Sequence, residues 1–184
     1  LEIGTVTPKP QFGNPKPRIF RITNETAIIN HLGFNNKGIN HMKEKLSNFD
    51  RTIPVGINIG KNSSTPIDKA YQDYEYCMKE IFYLADYITL NISSPNTENL
   101  RDLQLGQFFE DFLKNIKSLH NNLIKKYKKH VPLVVKISPD IDLEDLKKLS
   151  LLLLEYEIDG VIATNTTIDK NILKNKKFYN FKGG

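Results

Sequence analysis

The sequence predicts an α/β fold built around a parallel β-sheet, because strand-like and helix-like segments alternate along most of the chain. Apolar runs rich in β-branched residues occupy residues 52–60, 86–91, 131–137 and 159–165, and helix-like segments separate them. These runs are continuously apolar, as in strands that are buried on both faces. A (β/α)8 barrel and an open doubly wound sheet both fit this pattern. No GxGxxG turn follows a strand, so the dinucleotide-binding form of the open sheet loses support.

The first fifty residues carry less regular signals. Residues 1–6 are predicted as a strand, and the proline-rich, basic stretch at residues 7–22 as an irregular or hairpin excursion. A short helical turn is predicted within residues 25–38, ending in a loop rich in Gly and Asn. Residues 39–49 are predicted as a helix, because apolar side chains recur on one face. These side chains are Ile39, Met42, Leu46 and Phe49.

Three later helices have recognisable starts or apolar faces. Thr65 is predicted as an N-cap, with Pro66 at the first helical position. Asp142 is predicted to cap the helix that follows the third apolar run. The helix predicted over residues 106–127 has an apolar face, which consists of Phe108, Phe112, Ile116, Leu119 and Leu123.

The composition is that of a soluble globular protein with a substantial core. The 184 residues are 39% hydrophobic and 26% charged, with a net charge of +5. The single cysteine, Cys77, excludes an intrachain disulfide, and the four histidines lack metal-ligand spacing, so no metal site is expected. The lysines that cluster at residues 125–129 and 170–182 favour a solvated surface over a nucleic-acid interface, because no groove-reading motif accompanies them. No apolar run is long enough to cross a membrane, and no signal peptide opens the chain.

Four polar side chains lie in or at the ends of otherwise apolar strands: Asn58, Asn91, Lys136 and Asn165. The carboxyl ends of barrel strands meet at one rim, where active sites lie. An unpaired buried polar group costs about 1–3 kcal/mol, so these groups need partners. Each Asn could satisfy loop backbone locally, but four polar groups in successive strands favour a shared ligand. Amides suit a planar ring with alternating C=O and N–H groups, and Lys136 suits an anion or a ring that gains electron density.

Two other catalytic classes lack the residues they need. No carboxylate pair and no Ser-His-Asp order supports hydrolysis. Residues 56–64, GINIGKNSS, have three rather than four residues between their glycines. Asn62 follows the lysine, where a phosphate-binding loop needs Ser or Thr. A nucleoside triphosphatase is therefore disfavoured.

Six stretches of the chain follow the order and intervals of one known family. They are EIGTVTPKPQFGNPKPRIFR, IINHLGFNNKG, VGINIGKN, ADYITLNISSPNTENLRDLQ, VVKISPD and DGVIATNTT. They extend from the start of the chain towards its end and resemble the class 2, quinone-linked dihydroorotate dehydrogenases. The resemblance implies an FMN-containing (β/α)8 barrel that oxidises dihydroorotate to orotate in pyrimidine biosynthesis. It also implies ubiquinone as the final electron acceptor.

The same resemblance implies a chemical role for four residues. Ser94 is expected to remove the C5 proton of the substrate while a hydride passes from C6 to the flavin. Class 1 relatives have Cys at this position, so Ser94 indicates the quinone-reducing class. Thr97 and Phe34 are expected to shape the path by which the proton leaves. Lys136 is expected to lie near the reducible end of the flavin.

Three sets of contact residues are implied as well. Ile19 and Arg21 are expected to border the quinone tunnel. The positions expected to contact the flavin are Thr5, Asn30, Asn58, Asn91, Lys136 and Thr164. The positions expected to contact orotate are Asn30, His31, Leu32, Gly33, Phe34, Asn91, Asn96, Asn165 and Thr166.

The resemblance also sets the expected extent of the domain. A full barrel takes about 250 residues, so residues 1–184 are expected to form the central part of a single FMN-binding barrel that lacks both its ends. A membrane-associating segment would precede them, at the mitochondrial inner membrane or, in a bacterium, at the cytoplasmic membrane. Two alternatives stay open at this point: a non-catalytic barrel fragment, and another flavin barrel that acts on a pyrimidine-like ring.

Overall fold

A parallel five-stranded β-sheet forms the centre of the protein. The computed structural model describes residues 1–50, 52–104 and 106–184. The strands are β1 (Glu2–Val6), β2 (Ile19–Ile22), β3 (Ala27–Asn30), β4 (Gly56–Ile59), β5 (Tyr87–Asn91), β6 (Leu133–Ile137) and β7 (Gly160–Ala163). The sheet order is β1-β4-β5-β6-β7, while β2 and β3 pair as a separate antiparallel hairpin. The order never reverses, as in a barrel wall, whereas a doubly wound sheet reverses at its switch point.

In the described part of the chain, four α-helices pack side by side against this sheet. They are α1 (Ile39–Ser47), α2 (Ala70–Ile81), α3 (Gly106–Tyr127) and α4 (Leu143–Glu155). Every residue of β4 is buried, which explains why its sequence is apolar apart from Asn58. Between α2 and α3, the rings of Tyr74 and Phe112 meet edge to face with centroids 5.0 Å apart. Each such fully buried large side chain contributes about 1.5–3 kcal/mol through removal of apolar surface from water.

The hairpin of β2 and β3 corrects one sequence prediction. The helical turn expected within residues 25–38 is wrong, because Thr23–Glu25 form a single 3₁₀ turn and Ala27–Asn30 form a strand. One face of the hairpin buries Ile22 and Ile29 against Leu173, which lies far along the chain. This long-range packing decides the local conformation of an apolar run that is too short to indicate its own.

The start of α2 differs from its prediction as well. A 3₁₀ turn at Ile67–Lys69 precedes the helix, and no side chain caps either start. The Thr65 carbonyl oxygen instead accepts a hydrogen bond from the buried amine of Lys61, at 2.8 Å. Asp142 behaves as predicted, because its carboxylate accepts hydrogen bonds from the backbone N–H groups of Glu144 and Asp145, both at 2.9 Å.

The helix predicted over residues 106–127 coincides with α3, but its buried face is shifted. Phe109 is buried, whereas Phe108 is 60% exposed. Phe49, assigned to the apolar face of α1, lies beyond the end of that helix and is also exposed. Within the described parts of the chain, no helix combines the length and apolarity required to cross a membrane.

Candidate active site

A cavity of about 290 Å³ lies at the carboxyl ends of the sheet strands. The parallel arrangement brings together residues that are far apart in the sequence, as the strand-end pattern predicts. Ten residues singled out from the sequence line this cavity: Thr5, Asn30, Leu32, Gly33, Phe34, Asn91, Ser94, Asn96, Lys136 and Asn165.

A chain of hydrogen bonds orients the amides beneath the cavity. The Glu2 carboxylate accepts from Asn58 Nδ2 at 2.9 Å, so Asn58 Oδ1 faces the other way and accepts from Thr5 Oγ1 at 2.6 Å. Thr5 Oγ1 in turn accepts from Asn91 Nδ2 at 2.9 Å. Since a carboxylate only accepts hydrogen bonds, Glu2 determines the direction of every donor in this chain. Asn58 therefore supports the lining rather than belonging to it.

The two serines that follow β5 have different partners. Ser93 is fully buried, and its Oγ donates to Asn91 Oδ1 at 3.2 Å and accepts from Asn165 Nδ2 at 3.2 Å. Ser94 lines the cavity, and its Oγ accepts from the backbone N–H of Asn96 at 3.2 Å. Ser93 thus belongs to the supporting network, while the hydroxyl of Ser94 can donate to a bound molecule.

Lys136 is the cationic side chain of the lining. It lies opposite Asn91 in the register between β5 and β6, and it is half-buried. Across residues 1–50, 52–104 and 106–184, no group forms a hydrogen bond or an ion pair with its amine, so the charge is available to a ligand in the cavity.

The loop after β3 covers the cavity from one side. Asn96 Nδ2 donates to Asn30 Oδ1 at 2.8 Å, and the His31 ring lies 3.1 Å from Asn96 Oδ1. Phe34 adopts a φ of +52°, a region that costs a non-glycine residue about 1–2 kcal/mol. Its carbonyl oxygen accepts from Asn36 Nδ2 at 2.7 Å, which helps to hold this conformation. Phe34 lines the cavity, and its ring lies beside Gly60.

Besides His31, three predicted site residues of the loops lie outside the lining. Thr97 is buried, and its hydroxyl has no hydrogen-bond partner within the described ranges. Thr164 and Thr166 follow β7 and are exposed. Thr164 Oγ1 donates to the Asn165 carbonyl oxygen, and Thr166 N donates to Asn165 Oδ1, each at 2.8 Å. Thr164 and Thr166 thus fix Asn165, which does line the cavity.

The predicted quinone-tunnel residues lie on the exposed face of the β2–β3 hairpin. Ile19 pairs with Asn30 across the hairpin and is 45% exposed. Arg21 borders a separate cleft of about 480 Å³, together with Lys174 and Lys177. Because Asn30, the strand partner of Ile19, lines the cavity, this face of the hairpin adjoins the cavity.

Sequence reasoning missed several residues of the site. Glu2 is one, although a carboxylate in an otherwise apolar strand is a visible signal. Gly4 also lines the cavity; its φ is +118°, and a Cβ there would collide with the Asn58 carbonyl group. Arg101 and Asp140 join the loops after β5, β6 and β7, but no local pattern indicates that they meet.

Comparisons with known proteins agree with this arrangement. A family model described as "Dihydroorotate dehydrogenase" matches residues 1–184. Proteins named "Dihydroorotate dehydrogenase (quinone)" from Buchnera aphidicola and Acinetobacter baumannii are 49% and 47% identical over the whole chain, which covers 55% of each. The chain therefore spans about half the length of the curated relatives it matches.

Solved structures give the same result for the fold. Ligand-free DHODH from Eimeria tenella superposes with a TM-score of 0.87 at 35% identity, covering all of this chain and 56% of that one. The complex of the Eimeria enzyme with ferulenol gives a TM-score of 0.86. The prediction of a (β/α)8 barrel is confirmed, and the open doubly wound sheet is excluded. Because the family model matches every residue, the chain belongs to the dihydroorotate dehydrogenase family.

Proposed function

We propose that this chain carries the substrate-side half of a quinone-dependent dihydroorotate dehydrogenase site. The reaction removes a proton from C5 and a hydride from C6 of dihydroorotate, and the C5=C6 double bond of orotate forms. The observation that carries this proposal is the cavity in which Ser94, Lys136 and a ring of asparagines converge. The names of the relatives support the same substrate and a quinone acceptor.

The residues at the strand ends fit FMN as the cofactor. Lys136 offers an amine that has no partner among the described residues, and its charge suits a ring that becomes electron-rich. Gly4 lines the cavity, and its lack of a side chain lets the backbone of β1 lie close to the Asn58 carbonyl group. The residues proposed to hold the flavin are Thr5, Asn30, Asn58, Asn91, Lys136 and Thr164. Of these, Asn58 and Thr164 act by fixing Thr5 and Asn165 rather than from the lining itself. When bound, the flavin supplies the acceptor for the hydride.

The remaining side chains suit orotate and its precursor. Amides both donate and accept hydrogen bonds, which matches the alternating C=O and N–H groups of a pyrimidine ring. The residues proposed to contact this ring are Asn30, His31, Leu32, Gly33, Phe34, Asn91, Asn96, Asn165 and Thr166. Of these, His31 and Thr166 act by fixing Asn96 and Asn165 rather than from the lining itself.

Ser94 is proposed as the base for the C5 proton. A serine hydroxyl is a weak base near neutral pH, so it needs an onward route for the proton. Thr97, a buried hydroxyl three residues away with no partner in the described structure, is suited to that route. Phe34, held against the cavity, would exclude water from it.

Ubiquinone is proposed to reoxidise the flavin from the side of the β2–β3 hairpin, where Ile19 and Arg21 would border its path. The isoleucine is exposed and the arginine is cationic, so this face suits a long apolar molecule with a polar head. Membrane association is proposed with it, at the cytoplasmic membrane in a bacterium or at the mitochondrial inner membrane in a eukaryote.

The decisive experiment is anaerobic mixing of the purified protein, at the full length its gene encodes, with dihydroorotate. Loss of the flavin absorbance bands and formation of orotate are expected. A flavin-loaded protein that dihydroorotate fails to bleach, but dihydrouracil bleaches, would indicate another flavin barrel acting on pyrimidine rings. A colourless protein that takes up no added FMN would indicate a non-catalytic barrel.

A further inference from the structure

Arg101 lies in the 3₁₀ helix Leu100–Gln104 and contacts three loops at the rim. Its Nε donates to the Ser93 carbonyl oxygen at 3.1 Å, next to Ser94. One terminal nitrogen donates to Asp140 at 2.6 Å, and the other to the Thr166 carbonyl oxygen at 2.9 Å. The loops after β5, β6 and β7 are thus joined by one side chain.

Asp140 anchors this arrangement from the loop after β6. Its carboxylate also accepts hydrogen bonds from the Thr167 hydroxyl and from the Ile168 N–H, the latter at 2.9 Å. Burial alone would raise the pKa of Asp140, but these hydrogen bonds and the charge of Arg101 outweigh it and lower the pKa. The anchor therefore stays ionised at neutral pH.

The geometry of the contacts requires an arginine. A guanidinium group presents donors in a rigid planar fork, whereas a lysine amine is a point charge that can face one acceptor well. Two of the three acceptors are backbone carbonyl groups, in the Ser94 loop and in the loop that carries Asn165 and Thr166. The side chains of Arg101 and Asp140 are 20% and 22% exposed, so solvent screens the pair only partly.

We infer that Arg101 is a positioning residue that couples the loop after β5, which carries Ser94 (the Ser94 loop), to the loop after β7, which carries Asn165 (the Asn165 loop). It thereby holds the proposed base and the ligand-binding amide in fixed positions relative to each other. Arg101 does not line the cavity and acts through Ser93 and Thr166. This inference rests on the proposed function for its catalytic consequence, but the coupling of the two loops is a property of the protein alone.

Loss of the coupling has a distinctive kinetic signature. Removing the Ser94 hydroxyl affects proton abstraction alone, whereas releasing both loops moves the base and the ligand contacts together. A misplacement of about 1 Å can lower a rate roughly 100-fold. In Arg101→Lys we therefore expect the flavin-reduction rate at saturating dihydroorotate to fall about 10- to 100-fold, and the dissociation constant of orotate to rise about 3- to 10-fold.

The experiment uses the flavin-loaded, full-length protein with Arg101→Lys, Arg101→Ala, Asp140→Asn and, as control, Lys43→Met. Lys43 forms an ion pair of similar length with Glu80, at 2.7 Å, but it is more exposed and joins α1 to α2. Asp140→Asn should change rate and affinity in the same direction as Arg101→Lys, and less strongly. Methylguanidinium, but not methylammonium, should restore part of the rate of Arg101→Ala.

Hydrogen exchange decides the coupling independently of the reaction. In Arg101→Lys, the backbone exchange rate should rise both in residues 93–104 and in residues 164–168. In Lys43→Met it should rise in neither range. Exchange that rises in one loop alone, or a rate and an orotate affinity within twofold of the unsubstituted protein, would overturn the inference. If dihydroorotate fails to reduce the unsubstituted protein, the proposed function falls, while the exchange result still decides whether Arg101 couples the loops.

Discussion

Ser93 and Ser94 are adjacent, but the Ser93 hydroxyl belongs to the supporting hydrogen-bond network and the Ser94 hydroxyl to the cavity lining. Ser93 is hydrogen-bonded to Asn91 and Asn165, so the one donor of its hydroxyl is already used within the protein. The Ser94 hydroxyl oxygen accepts a hydrogen bond from the backbone N–H of Asn96, so its O–H group can donate to a molecule in the cavity. A pair of identical residues can therefore be tested for two different effects.

Replacing Ser94 with Ala should leave FMN and orotate binding intact but lower the flavin-reduction rate by roughly 10²–10⁴-fold, the usual contribution of a positioned base. Single-turnover reduction under anaerobic conditions measures this rate. Ser93→Ala is the matched control, and it should weaken orotate binding more than it lowers the rate. A rate for Ser94→Ala within tenfold of the unsubstituted protein would remove Ser94 from its role.

Lys136 is a half-buried cation that the described protein groups leave without a partner. Lys136→Ala should slow the flavin-reduction half-reaction, because the positive charge no longer stabilises the electron-rich ring. Stopped-flow absorbance gives the rate, and the ratio of flavin to protein absorbance gives the cofactor content. Unchanged values of both would show that the amine has no part in the reaction.

At the scale of elements, strands were predicted better than helix starts. The continuous apolar runs ending in Asn or Lys predict β4 to β7 and their convergence, because burial on both faces leaves a strong signal. The hairpin strand Ala27–Asn30 was missed, since its partners Leu173 and Phe178 are distant in sequence. Thr65 and Pro66 resemble a helix start, but the buried amine of Lys61 binds the Thr65 carbonyl group and a 3₁₀ turn follows.

The two candidate caps allow a direct comparison. Asp142→Ala should lower the free energy of unfolding by about 1 kcal/mol, because two backbone N–H groups at the start of α4 lose their acceptor. Thr65→Ala should change it by less than about 0.5 kcal/mol, as a surface substitution without a capping role does. Urea unfolding monitored by circular dichroism measures both. Equal losses in the two variants would contradict the assignment.

At the scale of the whole molecule, the polar rim was predictable but its connections were not. Asn58, Asn91, Lys136 and Asn165 were expected to meet because parallel strands bring their carboxyl ends together. The bond between Glu2 and Asn58 joins residues 56 positions apart, and that between Arg101 and Asp140 joins residues 39 apart. Such contacts depend on side-chain directions that no short sequence pattern encodes.

The core also contains a titratable group, His120, that affects the stability of the whole fold. His120 is fully buried; its Nε2 donates to the Val131 carbonyl oxygen at 2.7 Å, and its Nδ1 has no partner among the described residues. Burial chiefly, with the nearby charges of Lys117 and His130, lowers its pKa from the ordinary value of 6.5, although Val131 and Asp159 act in the opposite direction. The folded protein therefore binds this proton less readily than the unfolded chain.

Stability should consequently depend on pH through His120. Its contribution is fully present above pH 6.5 and is lost as the pH falls from 6.5 towards the lowered pKa, because the unfolded chain takes up the proton first. Unfolding free energies measured across this window should decrease with falling pH. His120→Gln should flatten that slope. A slope that persists in His120→Gln would point to another group.

The pairing of Asn30 with Gly184 has a consequence for the order of assembly. The Asn30 N–H donates to the Gly184 carbonyl oxygen at 2.8 Å, the Gly184 N–H donates back at 3.1 Å, and 154 residues separate the two. Contacts of such separation close a long loop and form slowly. During translation, sheet strands can add one after another as they leave the ribosome. The loop that bears Asn30 gains this partner only after residue 184 emerges, so this part of the chemistry-bearing end is completed after the seven strands have formed.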